Sequence, residues 1–423
     1  MPSFPVPPLR SRRSLRIAAA AGIAFGLATL VAAAPRIVAV GDVHGDLAGF
    51  KGILADAGVV DGAGAWIGGD TVLVQVGDLI DRGPSMRATL DFVMALEAAA
   101  PKQGGRVVAL LGNHESLNLA GDLRYVTPAN FAEFADAESE KRREEAWLEV
   151  RDLRRRRAKA LGAPEPPDGP NAKKTWLAAH PPGYLEHREA FGPRGVYGRW
   201  LRSRPAVFVA QDTAFLHGGL STAMAAVSLE QLNRRVEDDL ATLDSDRALF
   251  VSQGLILPFF DIQETFLALR AALGRLSTSG EDADRRRVYE RFLDWGSWTM
   301  NSPDGPLWFR GYAAWSDGEG EARMPALLSS AGVQRFVVGH TVQKDGRIHV
   351  RFGGTVFLID SGMLNSYASA GRASALELAG GVATAIYPGE PRRVIWEPVR
   401  KAADASHAMT RPSARPLEAK AAA

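Results

Sequence analysis

Seven side chains stand where an apolar run gives way to glycine, and their types could together bind metal. They are Asp42 and His44, Asp78, Asn113 and His114, His217, and His340. Carboxylate, carboxamide and imidazole groups are hard or borderline ligands, and drawn from separate strand ends they can converge on a pair of first-row divalent ions bridged by one carboxylate. The chain has no cysteine, so thiolate sites, iron–sulfur clusters and cysteine nucleophiles are excluded and any metal must be held by His, Asp, Glu or Asn. A single Gly-Asp carries no information. The series Gly41-Asp42-Val43-His44-Gly45, Gly77-Asp78-Leu79-Ile80-Asp81-Arg82-Gly83 and Gly112-Asn113-His114-Glu115 is far more specific, since Asp42 lies 36 positions before Asp78 and Asp78 lies 35 before Asn113.

Those intervals are one βα unit each. The runs Ile37 to Val40, Val72 to Val76 and Val107 to Leu111 read as buried strands, with helices expected from Asp46 to Ala57 and from Pro84 to Glu97. Parallel strands of this kind bind ligands beyond their carboxyl ends, where the polar residues sit. The pattern resumes at Val207 to Ala210, at Phe215-Leu216 before His217, at Phe336 to Val338 before Gly339-His340, and at Val356 to Ile359 before Asp360; further strands are expected near Val382 and Val394.

Helical blocks fill the intervals. Glu138 to Lys159 holds nine basic and six acidic residues and reads as a solvated helix, which also disposes of Arg154 to Arg157 as a nucleic-acid patch. Residues 117–204 are expected to be a helical insertion, with a Pro-rich loop from Ala163 to Pro170, capping the carboxyl edge of the sheet. A second helical block runs from Ser228 to Arg275.

With 423 residues, 46% hydrophobic and 23% charged, the composition is globular, and a net charge of +2 gives no field that would recruit nucleic acid. Arg10, Arg12, Arg13 and Arg16 precede an uncharged stretch from Ile17 to Ala34, so residues 1–34 are expected to be an export signal of the Sec or twin-arginine type, delivering the protein to the periplasm. An uncleaved membrane anchor is the alternative, although nine of those 18 residues are alanine, which is weakly apolar for a span. Residues 35–400 are expected to form the catalytic domain and 401–423, with nine alanines and no periodic apolar face, a disordered tail.

The three motifs resemble those of the calcineurin-like metallophosphoesterases, and within them the phosphoprotein phosphatases: Gly-Asp-x-His-Gly, Gly-Asp-x-x-Asp-Arg-Gly and Gly-Asn-His-Glu are all intact. His217 in Leu-His-Gly-Gly and His340 in Val-Gly-His match that family's later ligand histidines, and Thr341-Val342 after His340 departs from the Gly-His-x-His of nuclease-like relatives. Tyr197 to Leu201, Gly305 to Gly311 and Ile359 to Met363 look like segments of the bacterial Shewanella-like protein phosphatases.

The resemblance implies an α/β metallophosphoesterase fold, a central β-sandwich flanked by helices. It implies one ion on Asp42, His44 and Asp78 and a second on Asp78, Asn113, His217 and His340, with Mn²⁺ expected and iron or zinc as alternatives. The ion pair would activate the attacking water. Arg82 and Arg310 would hold phosphoryl oxygens, and His114, oriented by Asp81, would protonate the leaving group. For Arg310 a surface or cation–π role beside Trp308 stays open.

Asp46 and Glu115 are expected to cap loops or support ligands, Asp360 to form a turn or orient a ligand, and His180, His187, His349 and His407 to be ordinary surface or loop residues. The implied substrate is a phosphoprotein, with phosphotyrosine preferred; a nucleotide or dinucleoside polyphosphate phosphatase is a second enzyme reading. A non-catalytic metal-binding module is a third, against which the intact His114 and Arg82 argue. No nucleic-acid partner and no membrane span after signal removal are expected.

Overall fold

The computed structural model describes residues 34–366 and 369–398. The export signal read at 1–34, all but its last residue, the tail read at 401–423 and His407 lie outside the described residues. In chain order the elements begin β1 (Ile37–Val40), α1 (Leu47–Asp56), β2 (Val72–Gln75), α2 (Met86–Ala99), β3 (Arg106–Ala109) and α3 (Asn113–Ala120). Five helices follow: α4 (Pro128–Ala132), α5 (Ser139–Leu161), α6 (Pro170–Ala179), α7 (Tyr184–Ala190) and α8 (Val196–Arg202). Then come β4 (Val207–Ala210), β5 (Thr213–Leu216), α9 (Leu229–Ser252), α10 (Ile262–Leu273), α11 (Gly280–Leu293), α12 (Gly311–Ala314) and α13 (Asp317–Ala331). The chain closes with β6 (Arg335–Val338), β7 (His349–Arg351), β8 (Val356–Leu358), β9 (Ala375–Ala379), β10 (Val382–Ile386) and β11 (Arg393–Trp396).

The strands form two mixed sheets, ordered β11-β10-β9-β1-β2-β3 and β4-β5-β6-β8-β7. β1, β2 and β3 run parallel, as do β5, β6 and β8, while β9 joins β1 antiparallel. Strand alternation between two buried faces explains why β1 (Ile37–Val40) and β8 (Val356–Leu358) are apolar at every position. Ile37, Ala39, Val74, Phe215, Val337 and Phe357 meet in one cluster between the sheets. Their neighbours Val38, Val40, Leu73, Leu216, Val338 and Leu358 face the helices and join a second, larger cluster.

The insertion corrects the expectation for α5. It is packed into the core as well as reaching the sheet edge: Trp147, Val150 and Leu153 of α5, Trp176 of α6 and Leu201 of α8 belong to the same cluster as Val38 and Phe50. Tyr197 and Trp200 of α8 bond to Asp91 and Glu97 of α2 at 2.7 Å each, tying the segment to the βα framework. The solvated helix expected at α5 is therefore amphipathic, with its charges on one face and Trp147, Val150 and Leu153 buried on the other. His180 and His187 are also corrected, since both are buried. His180 stacks on Trp176 with ring centroids 4.2 Å apart, and His187 is packed among Phe131, Phe134 and Phe191.

Candidate metal centre

Every candidate ligand leaves the carboxyl end of a parallel strand: Asp42 and His44 after β1, Asp78 after β2, Asn113 and His114 after β3, His217 after β5 and His340 after β6. The two sheets thus contribute to one site. The turns that carry these side chains are strained. Among the described residues, seven non-glycine positions have positive φ, and five of them are His44 (48°), Asp78 (58°), Asp81 (69°), Arg82 (67°) and His340 (65°). Such backbone persists only where the surroundings over-determine it, and it clusters at functional sites. Gly77 (φ 98°) shows the crowding, because an added Cβ would lie 2.6 Å from Gly112 Cα and 3.0 Å from His217 Nδ1.

Asp78 sits at the centre. His217 Nε2 lies 3.3 Å from Asp78 Oδ2, and His44 Nε2 and His114 Nε2 each lie 3.8 Å from it. Ligand atoms of His44, Asp78 and His114 converge within 4.8 Å, as do those of Asp78, His217 and His340, so one carboxylate is shared by two groups. Asn113 joins the second group through Oδ1, 2.8 Å from His217 Nε2. Asp42 borders the first, its Oδ2 3.9 Å from His44 Nε2 and its Oδ1 accepting from the His340 N–H at 3.0 Å. The geometric triad therefore contains His114 where the sequence reading puts Asp42.

The donor set fits a pair of divalent ions in tautomer as well as in type. His44 Nδ1 lies 3.0 Å from the Ile80 carbonyl and His217 Nδ1 2.9 Å from the Val76 carbonyl. Each Nδ1–H must donate there, so in the neutral ring that a metal would require the Nε2 lone pair faces Asp78. His340 uses its other nitrogen: Nε2–H donates to the Trp308 carbonyl at 3.1 Å, freeing Nδ1.

Burial and neighbours set the charges. Burial drops the His44 imidazole to about 3 and holds His340 well below its usual range. Burial acts the same way on His217, but Asp78 and Asp42 outweigh it and push that imidazole up to about 9. Burial, and then Asp360, raises the Asp42 carboxyl; for Asp78 burial is overcome by His217 and His114, which hold it well below the ordinary carboxylate range. Buried acids and imidazoles with pKa values displaced in this way mark a functional site.

Supporting residues complete the arrangement. Glu115 accepts from the Asp78 and Leu79 N–H groups at 2.8 Å and from Gly112 at 2.9 Å, which locks the β2 turn onto α3; burial lifts its carboxyl to about 7. His114 Nδ1 donates to Asp81 Oδ2 at 2.7 Å. Asn118, which sequence reasoning missed, donates to both Asp81 oxygens at 3.0 Å from one turn further along α3, and the i, i+4 spacing from His114 is the signal that could have found it. Tyr125 was also missed and no motif marks it. Its ring lies 4.7 Å from the His114 ring and 5.0 Å from the Arg82 guanidinium, and its carbonyl accepts from the Arg82 N–H at 3.2 Å.

Arg82 Nη2 approaches His114 Nε2 at 3.2 Å. Arg310 is exposed and donates to the His340 carbonyl at 2.8 Å, beside rather than among the convergent groups. Asp46 caps α1 by accepting from Gly49 N–H at 2.9 Å, and Asp360 is buried, closing its turn by accepting from Gly362 N–H at 3.0 Å.

Residues 35–344 match the family model described as calcineurin-like phosphoesterase. The chain belongs to that family. It is 34% identical over 207 residues to Shewanella-like protein phosphatase 2 of Arabidopsis thaliana, an alignment covering 48% of this chain and 50% of the relative. It is 26% identical over 198 residues to Shewanella-like protein phosphatase 1 of Plasmodium berghei, covering 47% and 42%. The chain thus spans about half the length of these relatives. A solved cold-active protein-tyrosine phosphatase of a psychrophilic Shewanella species shares the fold, with a TM-score of 0.53 and 23% identity over 86% of this chain and 81% of that one. Among the described residues no helix is long and apolar enough to cross a membrane.

Proposed function

We propose that this calcineurin-like phosphoesterase is a dinuclear-metal phosphomonoester hydrolase acting on phosphoproteins, with phosphotyrosine preferred. The carrying observation is Asp78, shared by two buried ligand groups with His114 and Arg82 beside them. His44 and Asp78, completed by Asp42, would hold one ion; Asp78, Asn113, His217 and His340 would hold the other. When bound, such a pair lowers the pKa of water towards neutrality and polarises a phosphoryl oxygen.

The protein's own groups do the rest. Arg82 offers a guanidinium to the non-bridging oxygens, and Arg310 is assigned the same task from the rim. His114 carries the proton for the leaving oxygen. Asp78 and Asp81 raise its pKa against the pull of burial, and Asp81, steadied by Asn118, fixes the ring so that Nε2 faces the site. The preference for phosphotyrosine rests on Tyr125, 37% exposed at the mouth of the site, where its ring can flank an aryl leaving group. The similarity to a Shewanella protein-tyrosine phosphatase leans the same way.

Phosphotyrosine and phosphoserine peptides, nucleoside monophosphates and dinucleoside polyphosphates, assayed side by side, test the reading. Faster turnover of phosphotyrosine peptides is expected. Equal phosphoserine and phosphotyrosine rates would overturn the preference, and hydrolysis confined to nucleotides would overturn the protein-phosphatase assignment. Chelation should abolish turnover and Mn²⁺ should restore it. Export is part of the proposal on residues 10–35 alone: mass spectrometry should find a mature N-terminus near Ala32 to Arg36, and intact Met1 protein in the cytosol would defeat it.

A further inference from the structure

A cavity of about 940 Å³ opens among α5, α7 and α9, at the far end of α3 from the metal centre. Several arginines line it, and they are not equivalent. Arg142 is paired with Glu186, and Arg202 grips Asp244 with two bonds of 2.7 Å. Arg188 and Arg247 pair with none of the described carboxylates; their bonds go to neutral oxygens. Arg188 donates to the Asn118 carbonyl at 3.0 Å, and Arg247 to the Phe260 carbonyl at 2.7 Å and, longer, to the Ala120 carbonyl. Arg188 is 7% exposed, and its buried Nε has no hydrogen-bond partner.

A guanidinium taken out of water without a counter-charge is costly, and an unsatisfied buried N–H adds to the cost. Burial and then Arg188 bring Arg247 down to about 9, and burial lowers Arg188 as well, against the opposing pull of Asp261 on both. The position of Arg188 is enforced by backbone. Gly121, in the left-handed conformation at φ 87°, ends α3, and an added Cβ there would lie 2.7 Å from Arg188 Nη2. Leu119, Leu185, Val251 and Phe259 supply the apolar wall. Glu145, Glu149 and Glu189 also line the cavity and would repel a dianion more than a monoanion.

The geometry points to a binding site, separate from the metal centre, for a small organic carboxylate with an apolar body, its carboxylate received by Arg188 and Arg247. A charge-assisted bond to Arg188 Nε would satisfy the orphan donor and relieve the repulsion between the two cations. The site is independent of which phosphoester the enzyme hydrolyses.

Isothermal titration of the metal-loaded protein with octanoate tests it, with octanol as the neutral control. One saturable site is expected for octanoate and none for octanol. R188K keeps the charge but loses the fork, and should weaken binding at least tenfold. A248W adds bulk to the cavity wall on the exposed face of α9 while leaving both guanidiniums and their carbonyl partners in place, and should abolish binding. It decides the question even where R188K fails to fold. Absence of saturable octanoate binding, binding unchanged in A248W, or equal heats from octanol would overturn the assignment.

Discussion

His114 shows how a single side chain is given its task. Nδ1 is committed to Asp81 at 2.7 Å, so only Nε2 can exchange a proton with a substrate. His114→Gln should therefore keep its metal, by elemental analysis, and lose rate by roughly 10²–10⁴-fold on alkyl phosphates, the usual size of a general-acid contribution. Aryl phosphates with acidic leaving groups need the proton less and should lose less. Equal losses across leaving groups would reduce His114 to a positioning residue. Asp78→Asn should instead fail to retain two ions, since the one oxygen that faces His44, His114 and His217 alike loses its charge. These residues were legible because each motif fixes its own backbone. Asn118 was legible in principle from helical spacing. Tyr125 was not, because it arrives by way of the turn after Gly121 and the sequence around it has no period.

Among the elements, α7 holds the clearest liability. His187 is fully buried among aromatic rings with neither ring nitrogen bonded, and burial, helped by Arg188, keeps its pKa well below 6.5. The unfolded chain takes up a proton near pH 6.5 and the folded chain does not, so this group's share of stability is whole above that pH and is lost as pH falls below it. Chemical denaturation at pH 7.5 and 5.5 should show a smaller drop for H187F than for wild type, by up to about 1.4 kcal/mol per pH unit. An identical drop would mean that another group carries the acid sensitivity.

The insertion is tested by Leu153→Ala in α5. Leu153 is 1% exposed within the main core, so the substitution should cost about 2–5 kcal/mol and leave metal content unchanged. A cost under 0.5 kcal/mol would mean that α5 is not held by this core. The sequence misjudged α5 because its charges outnumber its apolar residues and hide a narrow buried stripe. It also passed over β7 and β9, of three and five residues. The latter forms a local hairpin with β10, while its place in the sheet depends on antiparallel pairing with β1 and the 2.5 Å bond between Glu377 and Arg36, 341 positions apart.

At the scale of the whole molecule, the alternation of strands and helices was readable and the closure of the sheets was not, because closure depends on partners far apart in the chain. The Asp42 carboxylate accepts from a backbone N–H 298 positions away, and β1, which carries Asp42, is flanked by β9 from near the other end. This has a temporal consequence. On a ribosome the three glycine-flanked motifs emerge early, yet the strand that secures the first of them is made only after the last ligand, His340. A nascent chain of some 370 residues would hold every ligand and still lack a working centre, because long-range pairing must come first and metal capture follows folding. Truncation after Gly371 tests this directly: the shortened protein should contain no stoichiometric metal, whereas a fully loaded product would show that β1 needs no neighbour on that side. A centre built this way stays unassembled until β9 has been made.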